Sequence, residues 1–308
     1  MENSLIIRLG ALGDTLMLLP ALKDLEKKVQ LTVVGREPGL SYLREISAEC
    51  WNMEGHGWHR LFQNEPDVSQ GLPVSRHDRV VAFLGDKGGR IQRNLKAFFP
   101  NARVSVVDAY PGEEDETHVA CYLCRALAET GLPVQTERAM DRALRGGLFH
   151  GRHERSHTDP VVIHPGSGSP RKNLSPGLWI AFLNRIHSEP SLRNRRKVLL
   201  LGPAEEHLKG FFEDRLAGGE KLVCCPEERA LRQLLAGAGL YVGHDSGVTH
   251  LAAMLGAPTM AIFRESRLSL WRPLGPVVEV LQYRGTDGEV LERLVETAKY
   301  LVFPFPRL

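Results

Sequence analysis

Short apolar runs alternate with amphipathic helical patterns along the 308 residues of the chain, and this alternation restricts the possible folds most strongly. Buried strands are predicted where the runs are short, apolar and partly β-branched. In the first half these runs are Leu5–Leu9, Leu31–Val34, Val80–Leu84 and Val104–Val107. In the second half they are Val161–His164, Val198–Leu201, Leu222–Cys224, Leu240–Val242 and Thr259–Phe263. Such alternation predicts an α/β protein whose parallel sheets carry helices on both faces.

Helices are predicted between several of these strands because the apolar residues of each stretch fall on one side. The stretches are Leu16–Lys28, Thr117–Thr130, Ser175–His187 and Glu227–Ala236. Pro20 fits the first helix only in its first turn or at a kink. Ser175 and Pro176 are typical of an N-cap and of the first helical position.

The length favours two domains, at roughly 100–200 residues for each. A polar, glycine-rich and non-periodic stretch at 145–160 is typical of a linker. We therefore predict a domain at 1–150 and a second domain that begins at 151. In open parallel sheets ligands bind beyond the carboxyl ends of the strands, so two such halves suggest a cleft between them.

Composition excludes several classes of protein. The chain has 39 Lys and Arg against 37 Asp and Glu, and this net charge of +2 argues against a nucleic-acid partner. Five cysteines, an odd number, argue for a reducing compartment and against a disulfide framework. No apolar run reaches the roughly 18 residues of a membrane span, and the N-terminus lacks the basic start of a signal peptide. We therefore expect a soluble cytoplasmic protein.

The loop Gly10–Thr15 follows the first predicted strand and opens the first helix. Its glycines allow a tight turn and a close approach of the backbone to a ligand. Asp14 has two interpretations that the sequence leaves open. It is a cap for free N–H groups at the helix start, or it is a general base.

Two further loops follow predicted strands of the second half. The loop His164–Asn173 combines small residues, which expose backbone N–H groups, with the cations Arg171 and Lys172, and this suits an anion. In Gly243–Ala253 the residues Ser246, Gly247 and Val248 can present N–H groups at a helix start, which is typical of a diphosphate site. Ordinary surface loops, a capping role for Asp245 and a packing role for His250 remain the alternatives.

Several familiar motifs are missing from the sequence: Gly-x-Gly-x-x-Gly, the Walker A motif, Gly-x-Ser-x-Gly and Asp-x-Asp. Without Asp-x-Asp, the usual carboxylate pair for a metal-bound nucleoside diphosphate is lacking, and we expect no metal cofactor. Cys121 and Cys124 form a Cys-x-x-Cys on an apolar helical stripe without a second ligand pair, so a structural role is expected.

Taken in order, five segments resemble glycosyltransferase family 9, the ADP-heptose:lipopolysaccharide heptosyltransferases. They are Ile6–Leu16 with Pro20–Leu22, His164–Gly168 with Lys172–Asn173, Leu200–Pro203, Gly243–Ala253 and Trp271–Gly275. The resemblance implies the GT-B architecture, in which two Rossmann-like parallel-sheet domains face each other across a cleft. It assigns the acceptor to domain 1–150 and the nucleotide sugar to domain 151–285. It also implies that segment 286–308 forms a helix that packs back on the N-terminal domain.

The activity implied by this resemblance is inverting transfer of a sugar, expected to be heptose, from an ADP-sugar to an acceptor of the lipopolysaccharide inner core. Such an enzyme is cytoplasmic, with at most peripheral contact at the cytoplasmic face of the inner membrane. Two alternatives stay open: a nucleotide-sugar epimerase on the same fold, and a non-catalytic homologue that binds a nucleotide or glycan.

The resemblance also suggests roles for individual residues. Asp14 matches the general base, and Lys172 meets the charge of the leaving diphosphate together with the helix start at Ser246, Gly247 and Val248. Asp245 matches a position near the donor sugar. The other residues expected at the nucleotide sugar are Ser167, Gly168, Ser169, Gly202 and His250, the last without a chemical step. Those expected at the acceptor are Gly13, Thr15, Lys87 and Arg90.

Two departures from the family pattern concern the donor side. Leu174 stands where the family often has an aromatic residue after the lysine, and Arg264-Glu-Ser stands where it commonly has Gly-Pro-Thr. In the first half, Lys87, Arg90, Arg93 and Lys96 are spaced about three residues apart. They are interpreted either as a solvated helix face or as partners of acceptor phosphates and carboxylates.

Overall fold

A computed structural model describes residues 1–44, 46, 49–146, 148–149, 156–216, 219–283 and 286–302. The chain divides into two compact units, Met1–Arg142 and Ala143–Leu308. The division lies eight residues before the predicted boundary at 150. Helix α5 (Thr136–Leu144) reaches across this division and ends directly before the predicted linker at 145–160. Of that linker, residues 147 and 150–155 lie outside the described part of the chain.

The first unit holds a parallel sheet in the order β3-β2-β1-β4-β5. Its strands are β1 (Asn3–Arg8), β2 (Gln30–Gly35), β3 (Glu49–Asn52), β4 (Arg79–Phe83) and β5 (Arg103–Val107). Its other helices are α1 (Leu12–Leu16), α2 (Leu19–Leu25), α3 (Arg90–Phe98) and α4 (Val119–Glu129), with 3-10 turns at Leu40–Leu43, Trp58–Phe62 and Val68–Gln70.

Pro20 explains why the first predicted helix is two helices. The stretch Leu16–Lys28 breaks after α1, and α2 begins at Leu19 with Pro20 in its first turn. Proline is tolerated there because the first helical N–H groups have no intrahelical acceptor. The prediction of a first-turn or kink position for Pro20 is thereby confirmed.

The second unit holds a parallel sheet in the order β11-β10-β9-β6-β7-β8. Its strands are β6 (Val161–His164), β7 (Lys197–Leu201), β8 (Glu220–Cys224), β9 (Leu240–His244), β10 (Thr259–Phe263) and β11 (Val278–Gln282). Its helices are α6 (Pro176–Ser188), α7 (Lys209–Glu213), α8 (Glu228–Ala236), α9 (Gly247–Met254), α10 (Leu268–Trp271) and α11 (Asp287–Val302), with 3-10 turns at Pro170–Lys172 and Pro203–Leu208.

Helix α11 has its apolar stripe in the core of the second unit, where it packs on α6 and on β9, β10 and β11. The packing of segment 286–308 on the N-terminal domain stays a prediction, and residues 303–308 of that segment lie outside the described ranges. Leu294, Val295 and Ala298 of this stripe are fully buried there. Burial of this stripe against the sheet removes its apolar surface from water, which is sufficient to fix the helix in its own unit.

Within the described ranges, no helix is both long and apolar enough to cross a membrane. The five cysteines are free thiols, and Cys124 lies buried on the apolar side of α4, as the structural interpretation of Cys-x-x-Cys requires.

Candidate functional site

The order of the second sheet defines where a ligand fits. From β6 the chain proceeds through β7 to β8 on one side, and β9, β10 and β11 continue on the other side. The loops after β6 and β9 therefore flank the point at which the strand order reverses. In open parallel sheets this switch point is the usual ligand-binding position. Both anion-binding loops predicted from the sequence lie there.

Asp245 is the centre of a polar cluster at this switch point. It follows β9 directly and is only 7% exposed. Lys172 Nζ donates a hydrogen bond to Asp245 Oδ2 at 2.7 Å, and the hydroxyl of Ser266 donates to the same oxygen. His250 Nε2 lies 3.6 Å from Asp245 Oδ1. The structure thus brings together three predicted residues from the loops after β6 and β9.

These neighbours determine the charge of Asp245. Burial by itself would raise the pKa of this carboxyl, but the contacts with His250, Lys172 and Ser266 outweigh burial and hold the pKa well below its usual range. Asp245 is therefore an anion that is already partnered by Lys172. Ser266, which follows β10, ends the Arg264-Glu-Ser segment that the sequence analysis placed on the donor side, and folding brings its hydroxyl to Asp245.

The helix start after Asp245 has the predicted form. Ser246 is the N-cap of α9, and its Oγ accepts a hydrogen bond from Thr249 N at 3.3 Å. The first N–H groups of any helix lack intrahelical acceptors, so those of Gly247 and Val248 point out of the helix start, where the dipole favours an anion. Ser246 is thus a cap, and the amides of its two successors are the groups suited to a diphosphate.

The loop after β6 is held in shape by its own side chains. The hydroxyl of Ser167 is buried and donates to Asn173 Oδ1 at 2.6 Å, while Ser169 N donates to Ser167 Oγ at 3.3 Å. Arg264 Nη1 adds a bond to the carbonyl of Asn173 at 3.3 Å. Gly168 is exposed beside them. Ser167 therefore shapes the loop, and Gly168 presents backbone at its surface.

A cavity of about 500 Å³ adjoins this loop within the second unit. Ser167, Gly168 and Asn173 form one wall, and Leu174 and Trp179 of the following segment contribute apolar surface. The remaining lining residues are Pro165, Pro170, Ser175, Pro176, Ala204, Glu205, His207, Leu208, Arg264, Tyr283 and Asp287. A cavity of this size with apolar walls and a few polar groups suits a small ligand.

Glu205 is a cavity residue that the sequence analysis missed. It is 4% exposed, accepts a hydrogen bond from Gly202 N at 3.1 Å, and its Oε2 lies 3.6 Å from His164 Nε2. Burial would raise the pKa of this carboxyl, but His164 and the Gly202 N–H lower it below its usual range. A Cβ at Gly166 would lie 1.9 Å from Glu205 Cδ, so only glycine fits there. Gly202 was predicted to bind the nucleotide-sugar donor. In the structure its N–H holds the Glu205 carboxylate, which lines the cavity.

His244 supports the same loop from below. It ends β9, its Nε2 accepts the N–H of Leu174 at 2.8 Å, and its ring stands edge-on to Trp179 at 5.2 Å between centroids. Burial, with a contribution from nearby His164, lowers the pKa of His244 to about 3. A neutral imidazole therefore ties the loop after β6 to the end of β9.

In the first unit Asp14 lies at the equivalent switch point, between β1 and β4. Its Oδ2 accepts the N–H of Ala11 at 3.0 Å, and its Oδ1 accepts the hydroxyl of Tyr110 at 2.8 Å. Arg8 Nε donates to the Asp14 carbonyl at 3.0 Å. A Cβ at Gly10 would lie 2.4 Å from Asp14 Cβ, so Gly10 must be glycine. The capping interpretation holds for one oxygen, and the side chain stays partly exposed.

The predicted acceptor residues fall into two groups. Lys87 and Arg90 are exposed, with Arg93 and Lys96 following on the exposed side of α3, and Arg90 donates to Asn64 Oδ1 at 2.8 Å. Gly13 lies inside α1, beside Asp14. Thr15 is only 1% exposed and its side chain packs against Gly39. Because the Thr15 hydroxyl is buried, it does not contact an acceptor substrate, and its side chain instead supports the turn that contains Asp14.

No group of three or more His, Cys, Asp or Glu side chains suited to a metal ion occurs in the described part of the chain.

Comparison with family models gives a match to glycosyltransferase family 9 (heptosyltransferase) over residues 187–294. This segment runs from the end of α6 into α11 and includes Gly202 and the loop after β9. No curated protein sequence matches the chain. The family match confirms the resemblance for the segments Leu200–Pro203, Gly243–Ala253 and Trp271–Gly275, whereas the other two segments precede the matched residues.

Solved structures resemble the chain over almost all of its length. A glycosyltransferase family 9 protein from Veillonella parvula has a TM-score of 0.73 at 14% identity, covering 98% of this chain and 97% of its own. Escherichia coli heptosyltransferase WaaC, solved with ADP, has a TM-score of 0.67 at 16% identity, covering 96% and 99%.

Similarity to an epimerase structure is weaker. A UDP-N-acetylglucosamine 2-epimerase from Listeria monocytogenes, described as putative, has a TM-score of 0.54 at 12% identity, covering 97% and 90%. At such identities the similarities establish the fold, and the prediction of two Rossmann-like parallel-sheet domains of the GT-B class is confirmed.

Proposed function

We propose that this chain, whose residues 187–294 belong to glycosyltransferase family 9, transfers a heptose with inversion from an ADP-sugar to an acceptor of the lipopolysaccharide inner core. The observation that carries the proposal is the cluster at Asp245. A cation, a buried carboxylate and an open helix start meet there at the switch point of the second sheet. These are the groups that a binding site for a sugar diphosphate requires.

The diphosphate leaving group gains negative charge as the bond to the sugar breaks. Fixed donors stabilise such charge best when they are in place beforehand. The N–H groups of Gly247 and Val248 and the ammonium of Lys172 supply them, without a metal ion. Asp245 then retains acceptor capacity for sugar hydroxyls. The adjoining cavity beside Gly168 and Glu205 accommodates the nucleoside. Adenine and heptose are proposed because heptosyltransferase WaaC, solved with ADP, shares the fold.

Asp14 is the proposed base. As the acceptor oxygen bonds to the anomeric carbon, its proton passes to the Asp14 carboxylate, and the bond from that carbon to the diphosphate oxygen breaks with its electron pair. Transfer of the proton to a positioned base typically contributes about 10²–10⁴-fold to the rate. The partial exposure of Asp14 leaves its carboxylate open to an acceptor hydroxyl.

The acceptor side of the proposal rests on charge. Lys87, Arg90, Arg93 and Lys96 form an exposed basic face at the start and along one side of α3. Such a face attracts the phosphates and sugar-acid carboxylates of an inner-core acceptor. We propose peripheral contact with the cytoplasmic face of the inner membrane on the same basis.

The transferase is favoured over the epimerase by the family match and by the higher TM-scores of the two transferase structures. A non-catalytic homologue is disfavoured because Asp14 and Lys172 are both present and both lie at switch points.

Two measurements test the proposal. ADP at a hundred times its dissociation constant should add about 2.7 kcal/mol to the free energy of unfolding, and UDP and GDP at the same concentration should add less.

With ADP-heptose and an inner-core saccharide, Asp14→Asn should lose about 10²–10⁴-fold in turnover and keep its affinity for ADP. Asp86→Asn is the matched control, because Asp86 caps α3 through the N–H groups of Ile91 and Gln92. Parent-like turnover of Asp14→Asn would show that Asp14 is a helix cap and not the base.

A further inference from the structure

Two segments of the first unit, far apart in sequence, meet around the Asp14 carboxylate. Asp14 lies in the short helix α1 after β1, and Tyr110 belongs to the loop after β5, 96 residues away. In the sheet β4 separates β1 from β5, so the second segment reaches across the end of β4. Its tyrosine hydroxyl donates to Asp14 Oδ1 at 2.8 Å.

Arg8, the last residue of β1, fastens the two segments together. It is 2% exposed, and its guanidinium donates to the carbonyl of Asp14 through Nε at 3.0 Å and to that of Ala109 through Nη1 at 2.7 Å. The same guanidinium lies 5.4 Å from the centre of the Tyr110 ring. A buried arginine thus holds both the backbone that carries the base and the backbone that carries the tyrosine.

We infer that Tyr110 is a positioning residue: its hydroxyl holds the Asp14 carboxylate in the orientation in which the carboxylate accepts the acceptor's proton. This inference rests on the proposed function, in which Asp14 is the base. The carboxylate is held at both ends, since Ala11 N–H occupies Oδ2 and Tyr110 occupies Oδ1. An ionised carboxylate has about four acceptor positions, so two remain for the substrate.

A purely structural role for this tyrosine is a poor explanation. Tyr110 is 44% exposed, so it contributes little to a core. Partial burial and the nearby Asp14 raise the pKa of Tyr110 to about 12, and the protonated phenol donates to Asp14 at neutral pH. The other titratable groups nearby are Arg8, Tyr122 and Asp108.

Tyr110→Phe tests the inference because it removes one hydroxyl and keeps the ring. We expect kcat for transfer from ADP-heptose to fall roughly 10-fold, because a misplaced catalytic group costs rate steeply. ADP affinity and the thermal unfolding midpoint should stay at parent values. The loss should appear in kcat and leave KM for ADP-heptose at the parent value, because the hydroxyl acts on the orientation of the carboxylate and does not contact the donor.

Tyr122→Phe is the matched control. The hydroxyl of Tyr122 donates to the carbonyl of Asp108 at 2.9 Å, in the same loop, and makes no hydrogen bond to Asp14 in the described structure. Loss of the Tyr122 hydroxyl should leave kcat and ADP affinity within about 2-fold of the parent. Equal effects of the two substitutions would overturn the inference, because the loop as a whole would then be responsible.

A double-mutant cycle separates this inference from the proposed function. In an Asp14→Asn background, Tyr110→Phe should cost less than about 2-fold more, because the hydroxyl acts through the carboxylate. An independent, additive loss overturns the positioning role while Asp14 stays the base. If Tyr110→Phe has parent-like turnover while Asp14→Asn is inactive, the positioning role is likewise overturned and Asp14 stays the base. Full turnover of Asp14→Asn overturns the base assignment, and the positioning role with it.

Discussion

At the scale of single residues, Lys172 is bound to a buried anion rather than free at the surface. Its Nζ lies 2.7 Å from Asp245 Oδ2, and its side chain is 31% exposed. The sequence alone presents this lysine as a loop cation, whose removal would cost little stability. The ion pair changes this expectation, because removing one partner leaves a buried charge without its counter-ion.

Lys172→Ala should therefore weaken both ADP binding and the fold. We expect a loss of about 1–3 kcal/mol in the free energy of unfolding, since Asp245 keeps Ser266 and His250 as partners. ADP affinity should fall at least 10-fold in titration calorimetry. Arg193→Ala, at an exposed cation of the same unit without an ion pair in the described structure, should match the parent in both measurements. Unchanged ADP affinity in Lys172→Ala would exclude this lysine from the donor site.

His244 makes the second unit sensitive to acid. Its folded pKa of about 3 lies below the unfolded value of about 6.5. Between these values the unfolded chain binds a proton that the folded chain does not. The stability that a neutral His244 allows is therefore complete above about pH 6.5 and is lost as the pH falls toward 3.

His244→Gln should flatten this dependence, because glutamine retains an acceptor for Leu174 N–H and does not titrate. Urea denaturation from pH 7 to pH 4 should show a smaller fall in the free energy of unfolding than in the parent. His207→Gln, at an exposed histidine, should keep the parent slope. The same slope in all three proteins would contradict the assignment.

At the scale of elements, every strand in the middle of a sheet was predicted, and β6 and β10 have the predicted bounds. Of the four edge strands, β5 and β8 were predicted, whereas β3 and β11 were missed. Central strands of parallel sheets are apolar throughout because both faces are buried. Glu49–Asn52 and Val278–Gln282 are only partly buried, so polar residues interrupt their patterns.

The turn between β1 and α1 gives a prediction at this scale. Gly10→Ala places a Cβ 2.4 Å from Asp14 Cβ, so the Asp14 side chain must move. Turnover should fall at least about 10-fold although the carboxylate itself is intact. Gly85→Ala, in the loop after the adjacent strand β4, meets no atom within 4 Å and should behave as the parent. Turnover and thermal unfolding should be measured for both variants. Parent-like turnover in Gly10→Ala would show that the turn tolerates a shift of the Asp14 carboxylate.

At the scale of the whole molecule, the proposed chemistry uses no metal ion. The diphosphate charge is assigned to Lys172 and to the helix start at Gly247 and Val248. Transfer from ADP-heptose should therefore keep its parent rate after treatment with EDTA and removal of the chelator. A loss of activity that magnesium or manganese restores would require carboxylate ligands that this assignment does not contain. Asp245 would then be the first carboxylate to reconsider as a metal ligand.

The sequence by itself determined the alternation of strands and helices, the place of Pro20 in a first turn and the three loops at strand ends, since each depends on neighbouring residues. Only the tertiary structure brought Ser266 to Asp245, Glu205 under Gly166 and Tyr110 to Asp14. It also fixed α11 in the core of the second unit. These contacts join residues distant along the chain, and their partners are chosen by burial and strand order, which no local pattern encodes.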